Sequence, residues 1–291
     1  MANNTFFLLL SFALGILLRY ATKKGNLLKK IINNYIIYIG YPIFLFVLMI
    51  EAKDFGKMLY VTFIALAVFH FAAFIIIKFL NLPKKTKSAL FICTTFGNIG
   101  FIGVPMIYLF LGIQAASVAA IVIIVYNLVT FTLGLYLSNA YIKNNWSAFF
   151  DFIKFPGIYT LLIAFILSRF GLVAPKIVVD ISHATVYIAT LVVGLAFDVS
   201  YFKDVHAKLA FFYGFIIKFL VAAIVLVGIS FAFNMDKMFV LVMLILATTP
   251  AAVGSTSIAV HYKFDEAFTA TFTSITTLVY LIATFLISII I

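Results

Sequence analysis

The chain has 291 residues, 66% of them hydrophobic and only 10% charged, with a mean hydropathy of +1.24. These values lie far outside the range of soluble globular domains and point to an integral membrane protein. The net charge of +11 does not imply nucleic acid, because the basic residues sit in short loops between apolar runs, where the positive-inside rule places them.

The apolar runs are continuous and about 20 residues long, the length of a membrane helix; a barrel strand needs ~10 residues of alternating polarity. Ten such runs are expected, at 5–20, 31–50, 58–80, 88–110, 114–139, 156–172, 178–197, 208–233, 238–260 and 267–290. The first ends in Arg19 and has no basic residue before it, so it reads as a membrane span and not as a cleaved leader. The longest connection, 141–155, joins the fifth run to the sixth; it carries the single tryptophan, Trp146, and reads as an interfacial linker. The single cysteine, Cys93, lies in an apolar run and has no partner for an internal disulfide.

Fourteen basic residues fall in the odd-numbered loops and five in the even-numbered ones, which places the odd loops in the cytoplasm and both termini outside. A shift of 150 residues lays Arg19 on Arg169 and Lys53-Asp54 on Lys203-Asp204, and brings later span starts close to one another. Five spans is an odd number, so a second half of the same design enters the membrane inverted. The expected fold is therefore an all-α membrane protein of ten transmembrane helices in a 5+5 inverted repeat. Residues 1–140 form the first repeat, 141–155 the linker and 156–291 the second repeat.

Two spans depart from plain membrane helices. In the fourth, TTFGNIGFIGVPMIY places Gly97, Gly100 and Gly103 around Asn98 and ahead of Pro105, a pattern that opens a helix. Exposed backbone in hydrocarbon costs several kcal/mol per group, so an opened helix survives only inside protein or beside water. In the ninth, ATTPAAVGSTS sets Pro250 after Thr248 and Thr249 and before Gly254, with both threonines suited to cap a new helix start. Two broken, crossing helices in spans 4 and 9 are the mark of transporters that bind cargo between half-helices.

Half-helices starting at one depth aim free N–H groups into a shared space, which favours an anion. Thr95, Asn98, Thr248 and Thr249 are candidate neutral donors there, and Asn127 of the fifth span either reaches the crossing or bonds a neighbouring helix. All nine acidic residues lie in loops or near span ends, which argues against a cation antiporter needing an intramembrane acid. Lys218 is the one charge deep in a span, and facing the cavity or snorkelling past Phe215 and Phe219 both fit the sequence. Lys78 ends its span and reads as snorkelling, and His70 reads as a hydrogen-bonded structural histidine. No metal site, cofactor site or enzyme motif is recognisable, and His261 with Asp265 has no partner nucleophile.

With both breaks in view, the chain resembles the auxin efflux carrier family, over nearly its whole length. The resemblance is carried by GNIGFIGVPMI (97–107), by TTPAAVGSTSIAVHYKFDEAFTATFTSITTLV (248–279), and by Pro42, Asn127 and Gly134. It implies a scaffold of spans 1–2 and 6–7 and a transport domain of spans 3–5 and 8–10. Such a protein is often a homodimer and moves a mono- or dicarboxylate across the membrane by an elevator-like motion, in bacterial relatives across the plasma membrane. It also implies a site at Gly97, Asn98, Gly100, Gly103, Pro105, Thr248, Thr249, Pro250, Gly254 and Asn127, with Asn98 as the main substrate contact. The sequence departs from the family at Gly254, where bacterial members carry asparagine, and in the seventh span, which lacks a proline. Asp54 and Lys57 loosely resemble a charged pair that supports the site in plant exporters. Two other readings share these features: a sodium-coupled organic-anion symporter of the bile-acid type, and a membrane sensor that binds a ligand without moving it.

Overall fold

The computed structural model of the protein describes residues 2–21, 25–50, 56–142, 159–160, 163–164, 166–167, 170, 172–195, 197 and 205–290. Lys53, Asp54, Trp146, Arg169, Lys203 and Asp204, with most of the linker and much of the sixth expected span, lie outside these residues. All regular structure among the described residues is helical, joined by one isolated β-bridge. Among the described residues, five helical stretches are long and apolar enough to cross a membrane: Gly56–Phe79, Gln114–Ala140, Lys176–Leu195, Lys208–Ala232 and Glu266–Ile287.

In chain order, α1 is Ala2–Ala21, α2 Gly25–Tyr35 and α3 Tyr41–Ile50, the last two joined by a π-helical turn at Ile36–Gly40. Helix α4 spans Gly56–Phe79 and α5 Lys84–Thr95. A π-helical turn at Ile99–Gly103 then leads into α6, Val104–Val129. Inside α6, Gly112 takes φ 81° and ψ −176°, a conformation open to glycine alone, so the helix is two pieces meeting at a sharp corner. That corner separates the fourth expected span from the fifth. A π-turn at Thr130–Gly134 and α7, Leu135–Ala140, complete the latter.

In the second half, α8 is Lys176–Leu195, α9 Val205–Phe215 and α10 Ala222–Ala232, with a π-turn at Ile216–Val221 between the last two. Helix α11, Lys237–Ala247, begins where Asp236 accepts a 2.8 Å hydrogen bond from the Phe239 amide, a regular N-cap. Helix α12 is Gly254–Tyr262 and α13 Glu266–Ile290. Asp265 caps α13 through the Phe268 amide at 3.1 Å and accepts the Thr86 hydroxyl at 2.8 Å, tying the start of α13 to the start of α5. Asp265 thus joins two helix starts.

The densest packing lies in two sets of helices, which also touch each other where α1 meets α13 and α3 meets α6. Helices α1, α2 and α3 lie against α8, while α4, α5 and α6 pack with α10, α11, α12 and α13 around buried Phe91, Phe239, Phe268 and Phe272. The first group is drawn together by absent side chains. A Cβ on Gly15 would overlap the Leu191 carbonyl oxygen and come within 2.9 Å of the Gly194 Cα, so α1 and α8 touch backbone to backbone. Small residues serve this purpose in membranes, where close van der Waals packing replaces the hydrophobic effect between helices. Tyr35 and Thr185, which face each other at 3.3 Å between hydroxyls, hold the same seam further along.

Gly15→Val is therefore expected to lower stability by about 1–3 kcal/mol through overpacking. Gly228→Ala, at a site with nothing within 4 Å, is expected to leave it unchanged or raised. Thermal unfolding of the two variants in detergent tests the contrast.

Candidate functional site

The two helix breaks meet. Helix α5 stops at Thr95, Phe96 turns to extended backbone at φ −93° and ψ 93°, and the next helical turn starts only after Asn98. Across from it, α11 stops at Ala247 and α12 starts at Gly254. Gly97 and Ala251 form an antiparallel bridge between the two gaps. The Asn98 amide donates to the Pro250 carbonyl at 2.7 Å, and the Ala252 amide donates to the Phe96 carbonyl at 2.8 Å.

Other broken-backbone groups are satisfied by side chains from neighbouring helices. The Tyr126 hydroxyl accepts from the Gly97 amide and donates to the Thr95 carbonyl at 2.6 Å. The Thr276 hydroxyl accepts from the Ala251 amide at 3.2 Å and in turn donates to the Phe272 carbonyl at 2.8 Å. Backbone polar groups away from water need partners, and this crossing finds them inside the protein.

The prolines act differently from expectation. The opening lies at Phe96–Asn98, several residues before Pro105, which occupies the second position of α6. It follows directly on the π-turn, where Gly103 and Val104 donate five residues back, so the missing N–H falls where the hydrogen-bond ladder has been widened. Pro250 lies within the second gap and contributes its carbonyl to the bridge. Thr248 and Thr249 do not cap α12. Their hydroxyls turn back to the Ile245 and Leu246 carbonyls, at 2.9 and 2.7 Å, and close the end of α11. A hydroxyl three residues beyond an orphan carbonyl reaches it locally, with no need of the next helix.

A set of donors remains at the crossing. Asn98 is 3% exposed and its side-chain amide nitrogen has no partner. Its carbonyl accepts from the Ile102 and Gly103 amides at 3.1 and 3.0 Å, so the amides of Ile99 and Gly100 precede the first intrahelical acceptor. The Ser255 hydroxyl, in the first turn of α12, is buried and unpartnered as well. Lys218 is 3% exposed, and its ammonium lies 3.1 Å from where a Cβ on Gly97 would stand, alongside the Thr249 hydroxyl oxygen at 2.6 Å from the same point. It faces the crossing; the snorkelling alternative is excluded by its burial.

Gly97 and Gly103 are close-approach positions: a Cβ on Gly103 would come within 2.8 Å of Thr249 and 2.9 Å of Leu246. Gly100 is buried within the π-turn. Gly254 is the opposite case, exposed and with nothing within 4 Å of its own Cβ position. Asn127 is buried in α6, beside Tyr126. Lys57 is exposed and donates to the Asn234 carbonyl at 3.5 Å, while Asp54 lies outside the described residues. His70 is fully buried and its Nδ1 is paired with the Leu66 carbonyl at 2.8 Å, a structural bond; its Nε2 has no partner.

Tyr126 and Thr276 were not singled out in the sequence. The only signals were a tyrosine next to Asn127 in mid-span and a hydroxyl-rich run in the tenth span. A cavity of about 320 Å³ lined by Pro42, Ile43, Phe46, Thr160, Ile163 and Val178 is almost wholly apolar, and it offers an anion no charged donor.

Apolar helices of membrane length around a pair of broken, bridged helices define an integral membrane protein. Residues 13–148 match the family model described as Membrane transport protein, the membrane transport domain of the auxin efflux carrier family. This is a transport family and not an enzyme family. Comparison with curated proteins gives no match.

Removing the Tyr126 hydroxyl leaves the Gly97 amide without its acceptor. Tyr126→Phe is expected to cost about 1–3 kcal/mol of stability, the penalty of one buried unpaired group, measured by thermal unfolding in detergent.

Proposed function

We propose that the chain is a secondary carrier that exports a small organic anion, a mono- or dicarboxylate, by alternating access around the bridged helix breaks. One observation carries this reading. The crossing presents donors without acceptable internal partners, the Asn98 amide above all, beside a buried ammonium, and none of the acids among the described residues stands at it. An anion supplies what these groups lack.

The reading includes ten membrane helices in an inverted repeat, with both termini outside a bacterial plasma membrane. It is supported by the 150-residue periodicity and by the loop bias in basic residues. It also includes a scaffold of spans 1–2 and 6–7 and a moving domain of spans 3–5 and 8–10. The two packed helix groups support that division, since α1, α2, α3 and α8 form one and the helices around the crossing form the other. The reading adds an elevator-like motion, in which the group holding the bridge moves past the other.

Thermal shift of the purified protein against mono- and dicarboxylates tests the reading. A carboxylate at ~100 times its dissociation constant is expected to add about 2.7 kcal/mol of stability. Asn98→Ala is expected to keep the fold and to reduce or abolish that shift. Absence of any carboxylate response in the wild type, or a response untouched by Asn98→Ala, overturns the assignment of the site.

A further inference from the structure

We propose that Lys218 is the fixed counter-ion of the cargo, so that the site accepts an anion carrying one negative charge in preference to a neutral molecule or a dianion. This rests on the carrier reading and adds to it the charge of the substrate.

The placement of Lys218 is specific. Its helix leaves α geometry over Ile216–Val221, and Lys218 lies inside that π-turn, buried, with its ammonium against Gly97. Such single-turn π segments redirect one side chain relative to a regular helix. A lysine stem is long enough to snorkel to an interface, and here it does the reverse. Gly97 makes the approach feasible: any Cβ there would stand in the space shared by the ammonium and the Thr249 hydroxyl.

The ammonium has no internal partner among the described residues that explains it. Among the described residues it makes no hydrogen bond and no ion pair with a carboxylate, and the nearby titratable groups are His70 and Cys93, neither of them an acid of the carboxylate kind. The described acids are committed or distant. Asp265 caps α13, Asp236 caps α11, Asp180 pairs with Lys176 at 3.0 Å, and Glu266 lies in the first turn of α13. A buried charge without a partner is costly, so a lysine kept at this position is accounted for by a partner that comes and goes. One cation offsets one anionic charge. A second carboxylate on the same cargo would be desolvated against amides and hydroxyls alone.

The Asn98 amide and the first-turn amides of Ile99 and Gly100 supply hydrogen bonds, and Lys218 supplies the charge. The site thereby separates two tasks, shape from the broken backbone and valence from the lysine.

The experiment uses one carbon skeleton in three charge states: dimethyl succinate, monomethyl succinate and succinate, with benzoate and benzamide as a second pair. Binding is read by thermal shift of the full chain in detergent, and uptake by proteoliposomes. The wild type is expected to bind monomethyl succinate about tenfold or more tightly than either neighbour in the series, the loss of one charge-assisted hydrogen bond on each side. It is expected to prefer benzoate to benzamide in the same way. Lys218→Met keeps the apolar stem and is expected to lose both preferences, and Lys218→Arg to retain them. Lys218→Gln repeats the reading with a polar, uncharged end should the methionine variant fail to elute as a folded protein.

A Lys218→Met or Lys218→Gln variant that keeps the wild-type order overturns the role of Lys218, and a wild type that prefers succinate overturns the single charge. In both cases a shift abolished by Asn98→Ala leaves the carrier reading standing. A wild type that responds to none of these anions overturns the carrier reading together with this one.

Discussion

The antiparallel bridge between Gly97 and Ala251 is the interaction on which the rest depends. Two helices broken within a membrane protein each leave several amides and carbonyls without the bonds an intact helix supplies, at several kcal/mol apiece in hydrocarbon. Neither break is stable alone. Together they exchange two backbone hydrogen bonds, Asn98 to Pro250 and Ala252 to Phe96, and the remaining debt is met by Tyr126 from α6 and Thr276 from α13. The helices contributing these side chains are fixed against the breaks by the same bonds. The crossing is thereby tied to α6 and α13, while the glycine seam joins α1 to α8.

Satisfying the backbone in this way leaves a surplus of donors. The bridge consumes the carbonyls of Phe96 and Pro250, the threonine hydroxyls of the second break turn back on α11, and the carbonyl of Asn98 closes the first turn of the next helix. What remains unmatched is the Asn98 amide, the Ser255 hydroxyl and the Lys218 ammonium. The backbone of the breaks is bonded internally, and the groups left over belong to side chains.

Much of this was legible in the sequence because glycine and proline act through local backbone geometry, which composition and spacing report directly. Gly97, Asn98 and Pro250 mark the two breaks, and the polarity of the surrounding runs marks the membrane. The position of the first break was less legible: Pro105 sits just past the π-turn, and the opening falls at Gly97. Tyr126 and Thr276 were not legible at all, since their roles come from the packing of α6 and α13 against the breaks and not from their own neighbours in the chain. The direction of Lys218 was open for the same reason. A π-turn changes which face a residue occupies, and hydropathy does not register it.

The two breaks are not equivalent, and the inequality follows from the size of one side chain at each. At Gly97 the missing Cβ is already occupied space, shared by Thr249 and Lys218, so any larger residue displaces the groups that give the crossing its charge. At Gly254 the space is empty and the residue is exposed, so the backbone start of α12 is uncovered. An asparagine there, as the resemblance leads one to expect, would add a donor and fill the gap, and this chain has neither. At its crossing stand the Asn98 side-chain amide and the buried Lys218. On the carrier reading, one amide and one ammonium would hold a small charged group more firmly than an extended polar one, because the strong contact is concentrated at a single point.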